Sequence, residues 1–281
     1  MRLVVTGAGG MLGRDVVRAA TAAGHEAIAL TRADLDVTDS EAVAERLRAE
    51  APDWVVNCAA YTNVDGAEDD PQAATAGNAD AAGHVAAGAA EAGAGITYPS
   101  TDYVFDGLKE GAYLESDPTG PLSVYGQTKL AGERTTAAAN SRHQIVRTSW
   151  LFGTGGRNFV ETMLRLAGEH DQVRVVHDQR GCPTYTPHLA VALVELAEGD
   201  AVGVRHVSGG GQATWFEFAE EIFRRAGSDG PPEPTTTAEF PRPAPRPANS
   251  VLATEVADCP RLPQWREGLD AYLGERAEAP A

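Results

Sequence analysis

Leu3-Val4-Val5-Thr6-Gly7-Ala8-Gly9-Gly10-Met11-Leu12-Gly13 reads as a short β-branched strand that runs straight into a glycine-rich turn, which in turn opens a helix. Glycine allows the tight turn and removes the β-carbon that would hold a pyrophosphate away from the backbone amides. The helix N-terminus adds partial positive charge. Strand, G-x-x-G-x-x-G and helix in this order predict a dinucleotide-binding βαβ unit, with Gly7, Gly10, Met11, Leu12 and Gly13 as candidate cofactor contacts.

Outward from that turn, β-branched runs alternate with alanine-rich helical patterns. Strands are predicted at Leu3–Thr6, Ala27–Leu30, Trp54–Asn57, Ile96–Ser100 and Gln144–Arg147, and helices near 11–23, 41–50, 71–92 and 123–139. Thr38 and Glu41 have the spacing of a capping box for the second helix. The alternation predicts an α/β fold: a Rossmann-type doubly wound parallel sheet over residues 1–150 with a smaller C-terminal α/β lobe over 151–281. In that lobe, helices are expected near 159–167, 189–196 and 216–226 and strands near 173–176 and 204–207, so segments around 187–208 are candidates to return to the sheet. Prolines crowd residues 230–247, where regular structure is not expected, and the choice lies between a linker and an ordered loop carrying Arg242, Arg246 and Asn249.

Composition narrows the function classes. Of 281 residues, 43% are hydrophobic and 22% charged, as in a packed globular chain, and a net charge of −17 repels nucleic acid and anionic membranes. Cys58, Cys182 and Cys259 are odd in number and widely spaced, with neither a CxxC pair nor a metal-ligand array, which points to a reducing compartment. No signal segment and no apolar run of membrane length is found, so a cytoplasmic location is expected. Only two of the twenty-three basic residues are lysines, Lys109 and Lys129, a bias that with the abundant alanine suggests a GC-rich genome.

Chemistry is expected at the loops that leave the C-terminal strand ends. At the end of the second strand, where an acid selects NAD, Leu30-Thr31-Arg32 offers a guanidinium instead, favouring NADPH over NADH. Tyr125-Gly126-Gln127-Thr128-Lys129 places a phenol and an ammonium at i and i+4 on one helix face. An ammonium there is expected to lower the phenol pKa, as suits carbonyl reduction. Pro99-Ser100-Thr101-Asp102 follows the fourth strand, and spacing alone leaves Ser100 and Thr101 both open as the hydroxyl that binds the same carbonyl oxygen. Trp54, Trp215 and Trp265 carry no motif and are expected as core or lobe-packing residues. The acidic run Asp65, Glu68, Asp69 and Asp70 is expected to be a solvated helix start.

These motifs together resemble the extended short-chain dehydrogenase/reductases. Five segments are similar to the dTDP-4-dehydrorhamnose reductase family within them: Asn57–Asp65, Ser100–Phe105, Arg147–Trp150, Gly181–Thr184 and Arg246–Ser250. The resemblance covers nearly the whole chain. It implies that Thr101 is the catalytic hydroxyl, beside Tyr125 and Lys129, and that Asp36, Val37, Ala60, Tyr61 and Thr62 line the cofactor. It also implies that Thr101, Asp102, Tyr125, Trp150 and Arg246 meet a dTDP-sugar substrate, with 151–281 mainly the substrate lobe. A homodimer, a bridging magnesium and the use of NADH are left open by it. The implied reaction is NADPH-dependent reduction of a C4 carbonyl. Its rivals are a related ketoreductase of an antibiotic-sugar pathway and a non-catalytic NADP-binding regulatory subunit, the latter opposed by the intact Thr101, Tyr125 and Lys129.

Overall fold

Leu3, Val4 and Val5 are all fully buried, although successive strand residues point to opposite faces of a sheet. Such a strand needs both faces covered, which is the situation of a parallel sheet between two helical layers. The computed structural model, which describes every residue except 171, 200, 229 and 279–281, has this arrangement. Six parallel strands form the central sheet: β1 (Arg2–Thr6), β2 (Glu26–Leu30), β3 (Trp54–Asn57), β4 (Gly95–Thr101), β5 (His143–Thr148) and β6 (Gly203–His206). Their spatial order is β2-β1-β3-β4-β5-β6.

The longer helices are α1 (Met11–Ala22), α2 (Ser40–Glu50), α3 (Ala81–Glu91), α4 (Val124–Ala139), α5 (Phe159–Glu169), α6 (Thr186–Gly199), α7 (Trp215–Ala226) and α8 (Trp265–Glu278). Leu3, Val5, Trp54 and Val56 face α1 and α6 and meet Leu12, Val16, Leu189 and Leu193. Val4, Val55 and Ile96 face the other way, onto Val43, Leu47, Val85 and Ala86. A separate aromatic-rich cluster, with Phe152, Tyr185, Phe218, Trp265 and Tyr272, gathers the residues after β5 that do not return to the sheet. The chain leaves β1 outward to β2 and then crosses back to β3, so the strand order reverses between β1 and β3. The loops leaving those two strands flank the crevice where such sheets bind ligands.

Three local expectations are corrected, and one helix lies outside them. Helix α2 starts at Asp39, whose carboxylate accepts from the amides of Glu41 and Ala42. Thr38 instead donates to Asp36, so the Thr38–Glu41 capping box does not form. The helix expected over 71–92 is interrupted by a π turn at Ala76–Asp80, with Pro71–Thr75 before it and α3 after it. The proline-rich segment contains a strand, Glu233–Thr235, parallel to Arg174–Val176. Pro234 fits there because the ladder bonds come from the neighbours, Glu233 N to Val173 O and His177 N to Thr235 O. Helix α8 lies beyond the predicted elements, yet its buried Trp265, Gly268, Leu269 and Tyr272 have helical spacing.

Candidate active site

Gly7 sits at φ +63, and a β-carbon there would lie 2.6 Å from the Ala59 amide nitrogen, so glycine is required both by conformation and by the approach of the loop after β3. Gly10 caps α1 without a side-chain bond, and the first turn carries no acid, which leaves its amides for an anion. The Leu12 side chain packs into the core, so only its backbone can serve a ligand. Arg32 is exposed one residue after Thr31, whose methyl lies across from Gly9, and Asp36 is its charged neighbour. On the far side of the crevice Ala60 and Thr62 are exposed. Tyr61 is pinned there by Asn78, which accepts from its amide at 2.9 Å and donates to its carbonyl at 3.1 Å. The π turn is what turns Asn78 inward, where it also donates to Thr128.

At the end of β4 the two hydroxyls part. Ser100 donates to Glu133 at 2.6 Å, and Glu133 holds Arg147 through both its oxygens, all of it buried. Thr101, one residue on and facing the other way, donates to Asp102 at 3.0 Å and accepts from the Tyr103 amide at 3.2 Å, with the Tyr125 phenol near it. The alternation of the strand therefore turns Ser100 to the Glu133–Arg147 pair and Thr101 to the opposite side, toward Asp102. Asp102 is 2% exposed, and burial pushes its carboxyl up to about 7.

Tyr125 and Lys129 are on one face of α4, but the expected lowering of the phenol is not found. Burial and then the Asp102 charge push Tyr125 up to about 12. Lys129 donates to the Pro99 carbonyl at 2.8 Å over the Tyr98 ring, and its own burial draws it down to about 7 despite the Glu133 charge. Both groups lose water, which destabilises phenolate and ammonium alike. At neutral pH Tyr125 is a phenol, as a proton donor must be.

Trp215 is half-buried against the aromatic core of the second lobe, as a lobe-packing residue, and lies face to face on Trp150, centroids 3.5 Å apart and 3° from parallel. Trp150 occupies the left-handed region at φ 49, and a β-carbon on Gly181 would lie 2.4 Å from its ring. Asp65 is not simply solvated: its carboxylate holds Arg246 through two hydrogen bonds, and Arg242 lies 3.8 Å away. Trp54 and Trp265 are in the core as expected. A cavity of about 560 Å³ is lined by Lys109, His177, Arg180, Thr214 and Asn249 among others. Arg180 and His177 escaped the sequence reading, although Arg180 directly precedes the quoted Gly181–Thr184 segment.

A profile of the RmlD substrate binding domain matches residues 1–277. The chain belongs to this family. RmlD-type relatives include a dTDP-4-dehydrorhamnose reductase of Mycolicibacterium smegmatis, 42% identical over 99% of this chain and 88% of that one. A Streptomyces antibioticus protein named "Probable dTDP-4,6-dihydroxy-2-methyloxan-3-one 4-ketoreductase" is 44% identical over 96% of this chain and 93% of its own. The solved structure of dTDP-4-dehydrorhamnose reductase from Bacillus anthracis in complex with NADP is 36% identical, with a TM-score of 0.94 over 98% of this chain and 99% of that one. The Rossmann-type RmlD fold is thus shared over the whole length.

Proposed function

We propose that this chain reduces the C4 carbonyl of dTDP-4-dehydro-L-rhamnose with NADPH, yielding dTDP-L-rhamnose. The observation that carries the reading is Tyr125 and Lys129 on one face of α4, with Lys129 donating to Pro99 on the strand β4 that ends at Thr101, in a chain 42% identical to a reductase of that name. The cradle fits the cofactor: Gly7 leaves space that a β-carbon would fill, and the first-turn amides of α1 are uncapped by any side chain. Gly7, Gly10, Met11 and Gly13 would hold the pyrophosphate, Arg32 the 2′-phosphate, Asp36 and Val37 the adenine side, and Ala60, Tyr61 and Thr62 the far wall. When bound, the cofactor supplies the hydride.

The chain's own residues do the rest. Thr101 donates to the carbonyl oxygen and fixes its direction, and Tyr125 gives its phenolic proton to the developing alkoxide. Lys129 keeps ammonium donors beyond the one bonded to Pro99, and these would hold the nicotinamide ribose. Asp102 sits at the sugar, while Trp150 and Arg246 take the nucleotide end, with Arg180 and His177 on the adjoining cavity. In this reading residues 1–150 with β6 carry the cofactor and the remainder the substrate, and the enzyme works in the cytoplasm.

The Streptomyces relative favours a second reading, reduction of another dTDP-4-keto-6-deoxysugar. NADPH oxidation over a panel of dTDP- and UDP-4-keto sugars separates the two. Fastest turnover of dTDP-4-dehydro-L-rhamnose supports the first, preference for a different 4-keto sugar supports the second, and NADPH binding without turnover of any sugar returns the regulatory subunit.

A further inference from the structure

Lys129 is 3% exposed, yet among the described residues its hydrogen bond goes to a carbonyl and not to a carboxylate. Glu133, one turn further along α4, commits Oε1 to Ser100 and to Arg147 Nε and Oε2 to Arg147 Nη2. The ammonium is met instead by two consecutive residues of β4. Pro99 offers its carbonyl at 2.8 Å, and the Tyr98 ring lies under the charge, its centroid 3.9 Å from Nζ. Tyr98 is itself fixed at both ends. Its backbone pairs with Ile145 of β5, and its hydroxyl donates to the Asn78 carbonyl of the π turn at 3.0 Å. The ring passes beneath α4 at Gly132, where a β-carbon would lie 2.4 Å from the hydroxyl oxygen. Burial holds the Tyr98 phenol well above its ordinary pKa, so the group is neutral and offers the ammonium the negative face of its ring.

We infer that Tyr98 is a positioning residue for the reduction: its ring face, together with the Pro99 carbonyl, fixes the Lys129 ammonium and leaves its other N–H groups for the nicotinamide ribose. The inference rests on the reading of Lys129 as the ribose ligand. A lysine head on a flexible four-carbon stem can swing about a single hydrogen bond. The ring supplies the second constraint. It also favours the charged form, since a cation taken out of water is stabilised by an aromatic face. Burial draws Lys129 down to about 7, against the pull of Glu133 and then of Cys58 after β3. Tyr125 on α4 is the other titratable group beside Tyr98. Without the ring the ammonium would lose its proton at lower pH.

The chain has only two lysines, Lys109 and Lys129, so protein labelled with carbon-13 at the lysine ε position gives two methylene signals, of which Lys129→Met removes one. Protons above an aromatic face are shifted upfield by the ring current. The wild-type Lys129 signal is expected upfield, with a titration midpoint near 7. Tyr98→Leu should abolish the upfield shift, lower the midpoint by about one pH unit and weaken NADPH by about three- to tenfold near neutral pH, read by fluorescence quenching. Tyr98→Phe, which keeps the ring and drops only the bond to Asn78, should retain both the shift and the midpoint. A merely structural tyrosine would lower the melting temperature in both variants and move neither the midpoint nor NADPH affinity in Tyr98→Leu, and that result overturns the inference. A wild-type Lys129 signal without the upfield shift overturns it with no variant at all, so the test holds even if Tyr98→Leu does not fold. Lys129→Met separates the two ideas. Wild-type NADPH affinity in that variant overturns the ribose contact and the positioning role with it, while weakened binding there beside unchanged binding in Tyr98→Leu overturns the positioning role alone.

Discussion

Asp65 holds the Arg246 guanidinium with both carboxylate oxygens, Oδ1 to Nη1 at 3.0 Å and Oδ2 to Nη2 at 3.1 Å. The bond joins the loop after β3, on the cofactor side of the crevice, to the proline-rich segment of the other lobe. Burial raises the Asp65 pKa, but the Arg246 hydrogen bonds, the Ala244 amide and the two arginine charges outweigh it and hold the carboxyl below its usual range. A depressed carboxylate contributes stability above its unfolded pKa of about 3.9 and loses it as pH falls through the folded value.

Asp65→Ala should therefore free the segment around Arg242 and Arg246. Trypsin should cleave there several times faster than in wild type at neutral pH, and stability should drop by about 1–2 kcal/mol for the lost charge-assisted bonds. NADPH affinity should stay within twofold. Unchanged proteolysis would mean that the segment is held by other contacts.

Ser100 and Thr101 should separate cleanly. Ser100→Ala removes a bond to Glu133 and should leave kcat within a few-fold, whereas Thr101→Val should lower kcat by about a hundredfold, each with a stability cost of about 1–2 kcal/mol for the buried hydrogen bonds it gives up. Glu133→Ala, which strands the buried Arg147, should destabilise by roughly 3–5 kcal/mol. Chemical denaturation and steady-state assays read both, and equal kcat losses in the two hydroxyl variants would contradict the division.

Arg32→Ala should weaken NADPH by about 1.5–3 kcal/mol and NADH far less, as measured by fluorescence titration. Equal losses would assign the cofactor preference to another residue.

Lys129 is a base whose folded pKa, near 7, lies below its unfolded value. The unfolded chain therefore binds the extra proton between about pH 7 and 10, and its contribution makes the protein more stable as pH rises through that window. Lys129→Met should remove that contribution, so that the wild type gains more in Tm between about pH 6.5 and 9 than the variant does. A parallel pH dependence in the two proteins would show that Lys129 keeps its ammonium charge throughout.

Much of the sheet was legible because its strands are short, β-branched and separated by glycine or polar turns, and because the Gly7–Gly13 spacing pins the first βα turn. What escaped depends on long-range partners. The break at Ala76–Asp80 exists because Asn78 must reach Tyr61 and Thr128, and nothing in an alanine-rich helical run announces that. Asp39 displaced Thr38 as the cap because two adjacent residues both suit the role and geometry alone chooses. Tyr125 and Lys129 were visible from their spacing, but the sign of the phenol shift was not, since it comes from Asp102 and from burial. Trp215 had no motif, and only its stacking on Trp150 and its packing on Phe218 show its surroundings.

The most direct test of the central claim is steady-state NADPH oxidation with dTDP-4-dehydro-L-rhamnose by wild type and Tyr125→Phe. The account predicts product formation by wild type and a loss of about 10²–10⁴ in kcat for the variant, with NADPH binding nearly unchanged. A variant within threefold of wild type, or a wild type that binds NADPH and reduces nothing, would contradict it.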